Sequence, residues 1–465
     1  MDLDHSRDVT LSPLDAACLR IEDRTSLIVN AGAMVFDGPL DDSKVREVLR
    51  TRLLAFRRFR QRVVPSGFPL GLPRWEDDRL FDLGSHVHRI ALPSPGDDQV
   101  LREVLSDLIS TPLDHARPLW EVHLIENHGA GSVVFFRIHH ALADGRALLR
   151  VLRSLTDRKG PVEPGESILG APEPPGEPDP SPEASRTTGT AEDILAETEA
   201  LLHRAITLLF HPGQVQDLAG SASDAAASLG HLLTLSADSA TPYKGPLGVA
   251  KRVAWSNPVP MSRIKAVAKA SGASANQVIL CAIAGAIRRD LERRGLSVCD
   301  LTFRVSIPVS MWRNEPADRL GNRFSLNLLE LPVDRGDPRE RLAVLRERLE
   351  RLRLSAETDV MYGLMQVFGM LPPEVGNPIL GLLNRKVTAV LSVVPGLPRV
   401  VGFAGRPVER MIFWVPQSGR LGLGLSVLPY RGAVTLGVAG DAGLMPDPGL
   451  LAAAFEDELN EPVLG

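Results

Sequence analysis

A chain of 465 residues is long for a single hydrophobic core, so two folded halves are expected. With 44% hydrophobic and 23% charged residues the composition is that of a soluble globular protein, and a net charge of -5 leaves no electrostatic footprint for nucleic acid. Cys18, Cys281 and Cys299 are odd in number and stand at no metal-like spacing, which argues against a disulfide framework or a zinc site.

The acidic start from Met1 to Asp8 has no apolar signal-peptide core, and no apolar run reaches the length of a membrane span. A cytoplasmic enzyme is therefore expected, with peripheral contact at the inner face of a membrane as the alternative. In chain order, Leu27 to Phe36 has the character of a strand, and Asp41 to Ala55 that of a basic-faced helix. After the turn-like Asn127 to Gly131, the run Gly131 to Ile138 is rich in β-branched and aromatic residues and predicts a second strand.

That strand closes on His139-His140-Ala141-Leu142-Ala143-Asp144-Gly145. Histidine titrates nearest neutrality, so this run can move a proton without extreme tuning. Successive strand residues point to opposite faces, so one imidazole reaches a pocket while the other is held behind it. Asp144 stands where a helix starts from Arg146 to Leu152, and it is expected to cap that helix or pair with an arginine as a positioning group. Gly145 closes the motif as a structural residue.

Residues 161 to 185 are rich in Pro, Glu, Gly and Ser and cannot bury enough surface to fold. The expected division is an N-terminal half over 1–156, a flexible linker over 157–190 and a C-terminal half over 191–465. Thr190, with Asp193 three residues on, predicts a capped helix whose apolar face runs from Ile194 to Leu209. Ser274 predicts the cap of a second helix through Ile287, with Arg288, Arg289, Arg293 and Arg294 at its C-terminal end. Strands follow over Val387 to Val394, Gly422 to Leu428 and Ala433 to Val438, and the whole is an α/β chain of two layered halves. There is no phosphate-binding GxxxxGK[ST] loop, no dinucleotide fingerprint, no GxSxG elbow and no His-rich metal spacing. The histidine pair is left to act by direct proton abstraction.

Several segments together resemble the bacterial wax ester synthase/acyl-CoA:diacylglycerol acyltransferase family. They are Leu11-Ser12-Pro13-Leu14-Asp15-Ala16, Pro118-Leu119-Trp120-Glu121, the histidine motif, Lys244 to Gly248, Arg252 to Trp255, Pro308 to Met311 and Gly321-Asn322-Arg323, in the family's order. The resemblance implies a two-subdomain CoA-dependent acyltransferase fold like chloramphenicol acetyltransferase, with a channel between the halves. It implies His140 as general base, His139 in support, and Asp144 as structural. Trp120 is either a core anchor or a substrate contact, and Asn276 either satisfies backbone groups in a helix's first turn or belongs to the substrate site. Acyl-CoA enters as substrate and no cofactor or metal is expected; the acceptor is diacylglycerol or a long-chain alcohol, reached by peripheral contact with a membrane or lipid droplet.

The chain departs from the family at three positions. Gln277 stands where an aspartate is usual, Trp312 where an arginine is common, and Val393 where an asparagine is common. These departures predict an unusual acceptor or reduced activity. Two alternatives stay open: transfer onto a non-lipid hydroxyl or amine from a CoA- or carrier-bound thioester, and a lipid-binding pseudoenzyme.

Overall fold

The strand that ends in the histidine motif lies in the middle of a sheet. In the computed structural model, which describes residues 9–67, 71–157, 234–312 and 320–461 apart from positions 356, 398 and 418, it is β7 (Gly131–His139), buried along its whole length. β2 (Val29–Phe36) and β6 (Trp120–His128) flank it antiparallel, and β5 (Val87–Ala91) adds to β6 in parallel. The fifth strand, β15 (Arg410–Trp414), comes from the far end of the chain and pairs with β2 from Arg410↔Val35 to Trp414↔Ala31.

A strand buried on both faces needs apolar residues at every position, which is why β7 lacks polar alternation. One face carries Val133 and Phe135 with Leu101 and Leu105 of α3 (Asp98–Ser110). The other carries Val134, Phe136 and Ile138 with α4 (Gly145–Leu155), whose N-cap is Asp144. The predicted basic-faced helix is shorter than expected: α2 (Asp42–Val48), capped by Asp41, gives way to a π-helical turn at Leu49–Leu53.

The second sheet runs β11 (Phe324–Leu331), β10 (Phe303–Ser310), β12 (Ala389–Val393), β16 (Leu423–Tyr430), β17 (Ala433–Asp441) and β8 (Lys251–Trp255), with β9 (Val259–Pro260) also on β17. It is mixed, because β12 is parallel to both β10 and β16. Over it pack α5 (Met261–Ser271), the largely buried α6 (Ala275–Arg293), α7 (Pro338–Leu354) and α10 (Gly449–Asn460). α1 (Pro13–Arg20) of the first half packs against α8 (Glu357–Met370), which α9 (Pro373–Asn384) follows. Among the described residues no single helix is long and apolar enough to cross a membrane. The linker after Asp157 and the helix predicted from Thr190 lie outside the described residues.

The two sheets are tied by more than β15. β8 is an edge strand, and its outward N–H groups are taken by α3 of the other half. Lys251 N donates to Ser110 Oγ at 2.8 Å, and Val253 N to Ser106 Oγ at 3.1 Å. Ser106 is 2% exposed, so removing its hydroxyl strands a buried N–H at the seam. Ser106→Ala is expected to cost about 1–3 kcal/mol of stability, measured by urea unfolding.

Candidate active site

Asp144 begins the construction. Its backbone turns extended at φ -77° and ψ 175°, and its Oδ1 accepts the Ala147 N–H at 2.9 Å, which caps α4. Its Oδ2 reaches the other half of the molecule, accepting the Trp312 indole N–H at 2.6 Å and the Arg323 N–H at 2.9 Å. The Asp144 N–H in turn donates to Gly321 O at 3.1 Å. Gly321 sits at φ +133°, a conformation that a side chain rarely adopts, and on either side of Asn322 the Gly321 carbonyl and the Arg323 N–H both meet Asp144.

Asn322 follows Gly321 and faces His140. Its amide nitrogen donates to the His140 carbonyl at 2.8 Å and to Asp15 Oδ1 at 2.8 Å. A carbonyl can only accept, so the amide orientation is fixed and its oxygen is the atom 2.8 Å from His140 Nδ1. His140 Nδ1 therefore carries the hydrogen, and Nε2 keeps its lone pair. Asp15 also accepts the Asn322 backbone N–H at 3.0 Å, and Arg58 lies 3.6 Å away. Burial raises the Asp15 carboxyl above its ordinary range, against the pull of Arg58 and Asn322. Asp15 belongs to the opening motif of α1, where Ser12 caps the helix.

The His140 ring is half-buried, its centroid 5.3 Å from that of Phe324, with Cys18 Sγ 3.8 Å from Nδ1. Burial lowers its pKa, and it does so despite the nearby charge of Asp144 and the Asn322 bond. A neutral imidazole with a free Nε2 is a base ready to accept a proton. The Cys18 thiol is pushed well above its ordinary range by burial and by Asp15, so it stays protonated.

His139 points the other way and is fully buried. Its Nδ1 accepts the Ala141 N–H at 3.0 Å, and its Nε2 lies 3.2 Å from Glu22 Oε2. His115 Nε2 meets the same oxygen at 3.0 Å. Burial raises the Glu22 carboxyl, but the bonds from His115 and His139 outweigh it and hold the group well below the usual carboxylate range. Glu22, His115 and His139 bring three potential metal-ligand atoms within 4.8 Å of one another. The backbone bond to His139 Nδ1 leaves the proton on Nε2, so that nitrogen is a donor to Glu22 rather than a ligand lone pair. The trio is a hydrogen-bonded brace behind the motif.

The remaining residues singled out in the sequence fall elsewhere. Trp120 is 1% exposed, its indole N–H donating to Phe59 O at 2.8 Å and its ring stacked 4.5 Å from His86. Asn276 lies half-buried in the first turn of α6. Gln277, read as the loss of an acid, completes a capping box: its Oε1 accepts the Ser274 N–H at 2.9 Å while its own N–H donates to Ser274 Oγ at 3.2 Å. Trp312, read as the loss of an arginine, supplies a donor to Asp144 through its indole N–H. Val393 packs half-buried against the core of the second sheet. Asn322, Asp15 and Glu22 were not singled out as site residues from sequence, although two of them stand in quoted motifs.

Beside the site, under α4, lies an apolar cavity, partly open to solvent, walled by β2, β7, β15 and α4. Gly145 lines it; its backbone is not left-handed, and a Cβ there would meet nothing within 4 Å.

The wax ester synthase/diacylglycerol acyltransferase catalytic domain matches residues 11–279, and the family's C-terminal domain matches residues 320–461. The chain belongs to this family. It is 32% identical over 461 residues to a probable diacylglycerol O-acyltransferase of Mycobacterium tuberculosis, covering 96% of this chain and 94% of that one. The fold is similar to the wax ester synthase/diacylglycerol acyltransferase of Marinobacter aquaeolei, with a TM-score of 0.67 at 22% identity over 97% of this chain and 98% of that one. It is also similar to the first condensation domain of the calcium-dependent antibiotic synthetase, with a TM-score of 0.60 at 17% identity over 99% and 97%. The expected two-part acyltransferase fold is thus found.

Trp312→Phe keeps the ring but leaves Asp144 Oδ2 with one donor fewer. Loss of a hydrogen bond to a charged group predicts a stability drop of about 1.5–3 kcal/mol, read from denaturant midpoints.

Proposed function

We propose that this chain transfers a long-chain acyl group from acyl-CoA to the hydroxyl of diacylglycerol, with long-chain alcohols as a second acceptor, and that His140 is the general base. The observation that carries the base assignment is the amide lock: Asn322 accepts from Nδ1 and is itself held by Asp15 and the His140 carbonyl. Only Nε2 is then available to the acceptor.

In this reading the hydroxyl gives its proton to Nε2 as its oxygen bonds to the thioester carbonyl carbon. The tetrahedral intermediate collapses with cleavage of the C–S bond, and the departing CoA sulfur takes the proton back from His140. His139 and Asp144 hold the loop: His139 through Ala141 and Glu22, Asp144 through α4, Trp312 and Arg323. The cycle returns the imidazole to its starting form and calls on no cofactor. Holding both substrates at one imidazole supplies the rest of the acceleration by proximity. Diacylglycerol resides in bilayers and droplets, so the reading includes peripheral contact with a lipid surface.

The test is a panel of acceptors with labelled acyl-CoA, using His140→Ala as the blank. Diacylglycerol should consume label fastest, and the variant should lose about 10²–10⁴-fold in kcat while melting within a few degrees of the parent. Retained turnover in the variant, or transfer only to non-lipid acceptors, would contradict the proposal. The base must be neutral and burial favours that form, so kcat/KM should hold as pH falls and decline only below the ordinary histidine value of 6.5.

A further inference from the structure

The cavity under α4 is apolar along its lining with one exception. Asn30 is the only polar residue among the described residues that line it. It is 4% exposed, and its amide nitrogen has no hydrogen-bond partner among the described residues. A buried donor left unpaired costs stability, so its place in an apolar strand needs a reason outside the fold.

Its position gives one. Asn30 pairs with Ile138 across β2 and β7, and residues directly opposite share a face of the sheet. The pairing carries on past the strand end, with the His140 N–H donating to Ile28 O at 2.7 Å. Asn30 and His140 are thus diagonal neighbours on one face, about 7–8 Å apart by the usual geometry of such pairs. From there both walls lead away from the histidine. β2 runs through Gly32 and Met34 opposite Phe136 and Val134, while α4 runs from Gly145 to Leu155.

We propose that this cavity holds the acyl chain of the donor thioester and that the Asn30 amide donates to its carbonyl oxygen. The proposal rests on the acyl-transfer reading above. A chain whose carbonyl sits at the head of the cavity is the acyl donor's, because the acceptor brings only a hydroxyl to that point. The lining agrees: beyond Asn30 the walls are aliphatic and aromatic, the surface an acyl chain needs. As the hydroxyl oxygen adds to the carbonyl carbon, negative charge moves onto the carbonyl oxygen, where the Asn30 N–H groups meet it. When the C–S bond breaks, that charge returns to the carbonyl and the sulfur leaves with the proton from His140.

Gly32 sets how deep the chain can go. It lies two residues from Asn30, about 7 Å along the strand. A Cβ there would meet only Ile412 O, at 3.6 Å, an ordinary van der Waals contact, and Gly32 lines the cavity, so added side-chain atoms take up its space.

Asn30→Leu and Asn30→Ala remove the donor, and Gly32→Val shortens the cavity. Both are read by steady-state transfer to diacylglycerol, by equilibrium binding of octanoyl-CoA and palmitoyl-CoA, and by melting. The Asn30 variants should lose about 10²–10³-fold in kcat, bind palmitoyl-CoA within a few-fold of the parent, and melt at the same temperature or higher. Gly32→Val should weaken palmitoyl-CoA binding at least tenfold and leave octanoyl-CoA unchanged, with the same split in kcat/KM. Retained kcat or a lowered melting temperature in both Asn30 variants would overturn the donor role. Equal effects on both chain lengths in Gly32→Val, or none, would overturn the cavity assignment. Chain-length discrimination in binding without transfer to diacylglycerol would uphold the cavity and fell the acceptor reading; transfer with unchanged discrimination would do the reverse.

Discussion

Everything at the centre of this molecule depends on which way one amide points. Asn322 has its nitrogen committed to a carboxylate on α1 and to the carbonyl of His140 itself, so its oxygen has nowhere to face but Nδ1. One residue from the second half thereby fixes the tautomer of an imidazole in the first. The halves cannot shift relative to each other without breaking that bond. The remaining ties bear on the same point: Asp144 accepts from Trp312 and Arg323, β15 completes the first sheet, and α3 serines cap the edge of β8.

Such an arrangement keeps the carboxylates apart from the imidazole. Asp15, Glu22 and Asp144 surround the motif, yet none is bonded to a nitrogen of His140. A carboxylate on Nδ1 would favour the imidazolium strongly. A neutral amide orients the ring without that bias, and burial then keeps it neutral. His140 is held by a polar network in which no carboxylate bonds its ring directly.

Much of this was legible in the sequence because it is local. The strand into the motif, Asp144 as an N-cap and Ser274 as a second N-cap follow from periodicity and from short-range competition for backbone N–H groups. What stayed hidden is non-local. Asp15 and Asn322 stand in segments 307 residues apart, and no spacing rule brings them together. β15 joining the first sheet is invisible for the same reason. Trp312 and Gln277 looked like lost polar groups because residue type alone does not show that an indole N–H or an amide oxygen can take over the hydrogen bond. Asn30 carried a signal that went unused: an amide in an apolar strand, where Asn is disfavoured, marks a position chosen for something other than packing.

The chemistry proposed for His140 depends on the protonation pattern of one ring, and nitrogen-15 NMR of histidine-labelled protein reads it directly. At pH 7 the His140 signals should show a protonated Nδ1 and an unprotonated Nε2, a pattern that is lost when Asn322 is replaced by leucine. A neutral ring protonated at Nε2, or a doubly protonated ring at that pH, would show that Asn322 does not leave Nε2 free to take the proton.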